Sequence, residues 1–184
     1  MVRARGAENS LRVGERMPEL KGQTLTGKTV TLPQVSAGSV TLVAMGFTYK
    51  SRFPVEAWAD WFRTTIGPTT AATFFEVPMI GGMATLGRWF INRGMRSGTP
   101  VELHDRVITV YGGTDEWKQR LSYSARHEHD AYLILLDGQG VVRWLHHGVF
   151  EPSRAEELKA LLTSLAAGHP SAADPDRADR RREP

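Results

Sequence analysis

The six residues VTLVAM, Val40 to Met45, carry no charge and run directly into a short polar loop and a proline. A continuous apolar run of this length has the character of a buried strand, and a strand covered on both faces needs further layers of structure above and below it. Pro54 stands where the first turn of a helix accepts proline, and Val55, Trp58 and Phe62 then recur at helical spacing with Trp61 beside them. The first legible unit is therefore strand, polar loop Tyr49 to Phe53, helix.

Other segments extend the alternation. Thr29 to Leu32 predicts a short strand after the Gly27 turn, and Thr73 to Val77 predicts another that ends at Pro78. Val107 to Val110 reads as a strand closed by Gly112-Gly113, with Thr114 as N-cap of a short helix carrying Trp117 and Leu121. Ala131 to Leu136 and Val141 to Leu145 flank the turn sequence DGQG and should pair as a hairpin. In the closing helix, Ser153 and Glu156 have capping-box spacing, Leu158, Leu161, Leu162 and Leu165 form the apolar stripe, and Gly168 with Pro170 stops it. This order predicts an α/β sandwich with a central mixed sheet, its βαβ part parallel and right-handed.

With 184 residues, 41% hydrophobic and 23% charged, the chain has the balance of one globular domain. That domain is expected over residues 13–168, between a disordered N-terminal segment, 1–12, and a disordered polar tail, 169–184. The absence of cysteine excludes disulfides, thiolate catalysis, iron–sulfur clusters and Cys-type zinc sites together. A net charge of +3 is too sparse for a nucleic-acid stripe, so no nucleic-acid partner is expected. No apolar run reaches the length of a membrane-spanning helix, and the first twenty residues lack the apolar centre of a signal peptide. The expected location is cytoplasmic or peripheral at the inner face of a membrane, and mitochondrial if a leader has been removed.

The order of elements, with GERMPELKGQTLTGKTVTL leading in and AYLILLDGQGVVRWLHHG leading out, resembles the thioredoxin-like superfamily over residues 13–167. Laid on that pattern, Lys50 and Phe53 stand where the family carries its two redox cysteines, and Ala131 stands where it usually has a cis-proline. The resemblance thus implies a thioredoxin-like fold whose redox centre is lost at two distant points. The run FFEVPMIGGMATLGRWFINRGMRSGTPVELHDRVITVYGG is more specific. It resembles mitochondrial ATP synthase assembly factors, which act as chaperones for a membrane-embedded proton-channel subunit, and their bacterial relatives, through Val77-Pro78-Met79, Gly94-Met95, Pro100 and Val110-Tyr111-Gly112. It implies a non-enzymatic, chaperone-like protein whose partner is a protein client, with an integral membrane ATP synthase subunit as the candidate. The alternative is a thioredoxin-fold ligand- or metal-binding protein, or a divergent enzyme that uses no thiol.

Two surfaces are candidates for partner binding. The loop with Tyr49, Lys50, Arg52 and Phe53 lies at a helix N-terminus, where backbone donors and the helix dipole favour an anion or an acidic segment; it reads equally as an inherited loop filled with solvated charge. The segment Val77 to Val101 contains Arg88, Arg93 and Arg96 and no acidic residue, with Met79, Met83, Leu86, Trp89, Phe90 and Met95 as its apolar members. As a basic amphipathic helix it fits a membrane surface or an apolar client helix; it also fits a helix that merely covers the sheet. His127, Glu128 and His129 precede one strand of the hairpin, and His146 and His147 end the other. Adjacent strand residues face opposite ways, so at most one of the latter joins His129 or Asp130, and no metal site is expected. No nucleophile elbow, phosphate loop or dinucleotide fingerprint is present, so neither a catalytic residue nor a cofactor is expected.

Overall fold

A computed structural model describes residues 10–81 and 88–168, the side chains of 88–90 excepted. The expected α/β sandwich with a central mixed sheet is what these residues form. Seven strands lie in the order β2-β1-β5-β4-β3-β6-β7: β1 (Leu20–Thr24), β2 (Thr29–Leu32), β3 (Val40–Gly46), β4 (Ala72–Ile80), β5 (Ile108–Tyr111), β6 (Ala131–Leu136) and β7 (Val142–Gly148). The strands β3, β4 and β5 run parallel, and the flanking pairs β3–β6, β6–β7, β5–β1 and β1–β2 are antiparallel. The helices are α1 (Arg52–Trp61), α2 (Arg88–Gly98), α3 (Thr114–Arg120) and α4 (Pro152–Gly168).

The period of two along the central strands sorts the core into two layers. From β3 and β6, Val40, Leu42, Ala44, Ala131, Leu133 and Leu135 face Val55, Trp58 and Ala59 of α1 and Ala155, Leu158 and Leu162 of α4. Their neighbours Val43, Met45, Tyr132, Ile134 and Leu136 face Met17, Trp117 of α3 and Leu11. Because both faces are covered, all six residues of β6 are buried, as are Val40 to Met45 of β3. After Trp61 the α1 axis continues through a π-type turn, Phe62–Ile66, closed by a hydrogen bond from Gly67 N–H to Phe62 O of 2.9 Å.

Several sequence expectations are corrected. Strand β1 went unread because LKGQT shows neither an apolar run nor clean alternation; only Leu20 and Thr24 are buried. Pro78 does not end β4, which continues to Ile80. Pairing with β3 runs to Gly46 opposite Pro78, whereas pairing with β5 is interrupted between the Glu76–Val107 bridge and Met79–Val110; proline lacks the N–H for one side only. Gly113, at φ +66°, rather than Thr114 is the cap of α3, because that left-handed position suits glycine. Helix α4 starts at Pro152, so Ser153 is already inside it and is not the N-cap that the sequence predicted. Residues 10–12, expected within the disordered N-terminal segment, are packed against the domain: Leu11 is buried in the core and its N–H donates to Arg120 O at 2.8 Å, and residues 1–9 lie outside the described residues. The tail at 169–184 lies outside the described residues.

Candidate functional site

The carboxyl ends of β3, β4 and β5 lie at one edge of the sheet, the edge at which open α/β sheets place their binding sites. There Gly46 leads through Phe47 into a single tight turn, Tyr49–Ser51, and then into α1. Thr48 and Ser51 build this turn by reciprocal capping. Thr48 Oγ1 accepts from Ser51 N–H at 3.2 Å, and Ser51 Oγ accepts from Thr48 N–H at 3.1 Å. Both hydroxyls also lie against the segment before β6: Thr48 Oγ1 is 2.9 Å from His129 Nδ1, and Ser51 Oγ donates to Glu128 O at 3.4 Å. Ser51 is wholly buried, so the turn is held from beneath by its own polar groups.

This construction changes the expected character of the loop. The backbone donors of Thr48 and Ser51 are committed within the turn, and Arg52 N–H bonds back to Tyr49 and Lys50 carbonyls. An anion that used these three donors would have to displace those bonds. The outward surface is instead aromatic and cationic. Tyr49 is 77% and Phe53 60% exposed, and the Arg52 guanidinium lies 5.5 Å from the centroid of each ring. Arg52 also donates to Tyr49 Oη at 3.1 Å and pairs with Glu56 at 3.2 Å, which holds its guanidinium still more firmly protonated. Lys50, exposed beside them, adds charge. Tyr49, Lys50, Arg52 and Phe53 are thus all exposed on this one turn.

The second expected surface is only partly described. Met79 is not available to a partner: it points from β4 into the core with 3% exposure. Arg88 and Trp89 open α2, but their side chains, with residues 82–87, lie outside the described residues. Arg93 is exposed on α2 and Met95 half-buried. The side chain of Arg96 is anchored, its Nε donating to Leu25 O at 2.6 Å. The helix is also fixed by Tyr111 Oη, which donates to Asn92 Oδ1 at 2.7 Å.

The histidines divide as strand geometry requires. His146 faces α1, with its ring beside Trp58 and stacked on Trp144; burial, with Arg154 nearby, holds its imidazole below the usual range. His147 faces the other way, stacked on its register partner Tyr132 at 5.3 Å. The residue that joins it is Asp130, whose Oδ2 lies 2.9 Å from both His147 Nδ1 and His127 Nδ1. His129 is absent from this group because it turns to Thr48. His104 and Asp105 lie outside the group: His104 Nε2 bonds Thr99 O, and Asp105 accepts from Thr26 Oγ1 and Lys28 Nζ. The sequence allowed one of His146 and His147 to join His129 or Asp130; the structure makes that pair His147 and Asp130 and adds His127, which the sequence had not placed with them.

Glu76 is a further feature that the sequence reading passed over. It faces the α1 layer from the middle of β4 and lines a cleft of about 220 Å³ with Phe62, Arg63, Phe74, Leu103 and Arg106. Burial, reinforced by Glu56 and opposed by Arg63, raises its carboxyl to about 7.

No protein-family model and no curated protein matches the chain. Solved structures do. BsSco, a member of the Sco family of cytochrome c oxidase assembly proteins, superposes with a TM-score of 0.60 at 15% identity, over 85% of this chain and 98% of that one. A SCO1/SenC family lipoprotein from Bacillus anthracis gives 0.59 at 12% identity, over 85% and 99%. The thioredoxin domain of a thiol-disulfide oxidoreductase from Bacteroides vulgatus gives 0.55 at 16% identity, over 83% and 99%. At these identities the likeness is one of fold, and the fold of this chain is thioredoxin-like.

Proposed function

We propose that this chain is a non-redox thioredoxin-fold protein that binds a protein client through the turn Tyr49 to Phe53, with α2, the helix that follows β4 in the chain, contributing. The observation that carries this reading is the pair of exposed aromatic rings, Tyr49 and Phe53, spanned by one guanidinium on a turn whose polar groups are satisfied from beneath. A rigid aromatic and arginine surface loses little conformational entropy on binding and has the composition of interface hot spots. With no cysteine in the chain, the thiol chemistry of a redox centre is absent here. Peroxide and disulfide consumption are therefore expected to equal buffer blanks.

For the client we adopt the one that the sequence resemblance implies, a membrane-embedded ATP synthase subunit. Among the described residues no helix is long and apolar enough to cross a membrane, so contact with such a client would be peripheral. A photoreactive phenylalanine analogue at position 53 should crosslink in membranes of the source cell to one integral membrane protein. Arg52→Glu should reduce the yield at least tenfold. Crosslinks to soluble bystanders alone, or a yield indifferent to Arg52→Glu, would overturn the reading.

A further inference from the structure

We infer that His127, Asp130 and His147 form a binding site for a divalent transition-metal ion of zinc type. The three come from two separate pieces of chain. His127 and Asp130 are three residues apart in the turn before β6, and His147 is brought to them from β7 by the hairpin register that sets Tyr132 opposite it. Nδ1 of each imidazole lies 2.9 Å from the same carboxylate oxygen, and the three ligand atoms all fall within 4.8 Å of one another. Tetrahedral bonds of about 2.0–2.1 Å set ligand atoms about 3.3 Å apart. Modest rotation of the two histidines therefore closes the set around an ion. Their side chains are 41% and 42% exposed and have room for that movement.

The donor chemistry selects the ion. Two imidazoles and one carboxylate suit zinc and its first-row neighbours, whereas calcium and magnesium take oxygen sets. Both histidines now present Nδ1 to Asp130; on metal binding Nδ1 becomes the ligand and the proton resides on Nε2, a change of tautomer. Part of a surrounding support is already built. The Tyr132 ring stacks on His147 at 5.3 Å, its hydroxyl donates to His127 O at 3.1 Å, and the two imidazoles meet edge to face at 4.6 Å. With three protein ligands the ion keeps an open position for water or an exchangeable group, the arrangement of accessible rather than purely structural sites.

The site shares the segment before β6 with the client-binding turn but none of its ligands lies in that turn, and its test is separate. Metal-free protein is titrated with Zn²⁺ by calorimetry and with Co²⁺ by visible absorption. One equivalent should bind, with the Co²⁺ complex showing the intense d–d bands of a four- or five-coordinate ion. Asp130→Asn and His147→Gln should each weaken binding at least tenfold, while His129→Gln and His104→Gln should leave it within twofold. Far-UV circular dichroism checks that the variants are folded, and His127→Gln supplies a second ligand removal if either of the first two is not. No binding by the wild type, or binding that survives the loss of Asp130 or either ligand histidine, would overturn the assignment, as would equal loss in His129→Gln.

Discussion

Glu76→Gln offers a test in which the structure fixes both sign and size. The carboxyl of Glu76 is raised from its usual 4.5 to about 7, mainly by burial in the α1-facing layer, with Glu56 and Asp60 opposing its charge and Arg63 favouring it. The folded state therefore holds a proton that the unfolded chain releases between about pH 4.5 and 7. Where the native state binds the extra proton, stability falls as pH rises. The contribution is fully present below pH 4.5 and is lost as pH climbs through about 7. At about 1.36 kcal/mol for each pH unit of displacement, the full span is about 3 kcal/mol, of which about 2.5 kcal/mol falls between pH 5 and pH 8. Glutamine keeps the shape and cannot ionise. Urea unfolding of wild type and variant at both pH values isolates Glu76, because the other titrating groups are common to the two proteins. The variant should gain on the wild type by about 2.5 kcal/mol between pH 5 and pH 8. An equal difference at both pH values, or a variant that loses ground at pH 8, would refute the reasoning and show that Arg63 fully compensates the buried carboxylate.

Other substitutions test the rest of the scaffold. Asp137 accepts from Gln139 N–H, Val141 N–H and Arg143 Nε at 2.9, 3.0 and 2.7 Å; burial opposes its ionisation, yet these bonds hold its carboxyl below the usual range. Asp137→Asn should cost about 1.5–3 kcal/mol at pH 7 in chemical denaturation, and the deficit should shrink as pH falls below the ordinary aspartate value of 3.8 and through the lower folded value, where the wild type loses the advantage of its charge. Leu133→Ala, in the centre of the fully buried β6, should destabilise by about 2–5 kcal/mol, read by the same method. Tyr49→Ala combined with Phe53→Ala should leave the melting temperature within a few degrees of wild type, because both rings are exposed; a large loss would mean that the rings serve the fold rather than a partner.

The sequence was most informative where one residue type fixes one local geometry. The apolar run at Val40 to Met45 became a strand buried on both faces, DGQG became a hairpin turn, and proline and glycine framed α1 and α4 close to their expected ends. Local pattern was weakest where stability comes from a neighbour. LKGQT forms β1 because β2 and β5 pair with it on either side, not because its side chains demand a strand. Pro78 sits within β4 because the ladder toward β3 reaches it and the ladder toward β5 resumes just beyond it, at Met79. The basic loop was legible as a loop, but its aromatic outward surface was not, since that depends on Thr48 and Ser51 being held by the segment before β6, some eighty residues away.

The sequence by itself determined the α/β layering, the absence of thiol chemistry and the position of the turn after β3, because hydrophobic period, proline and glycine conformation and the lack of cysteine are local properties. Tertiary structure alone decided which side chains share a site. It buried Met79, anchored Arg96 to Leu25, left Tyr49 and Phe53 to solvent on either side of Arg52, and drew His147 away from His146 to meet Asp130 and His127. The reason is the period of two along a strand combined with pairing register: one residue of displacement sends a side chain to the opposite face of the sheet, and only the partner strands fix where that displacement falls.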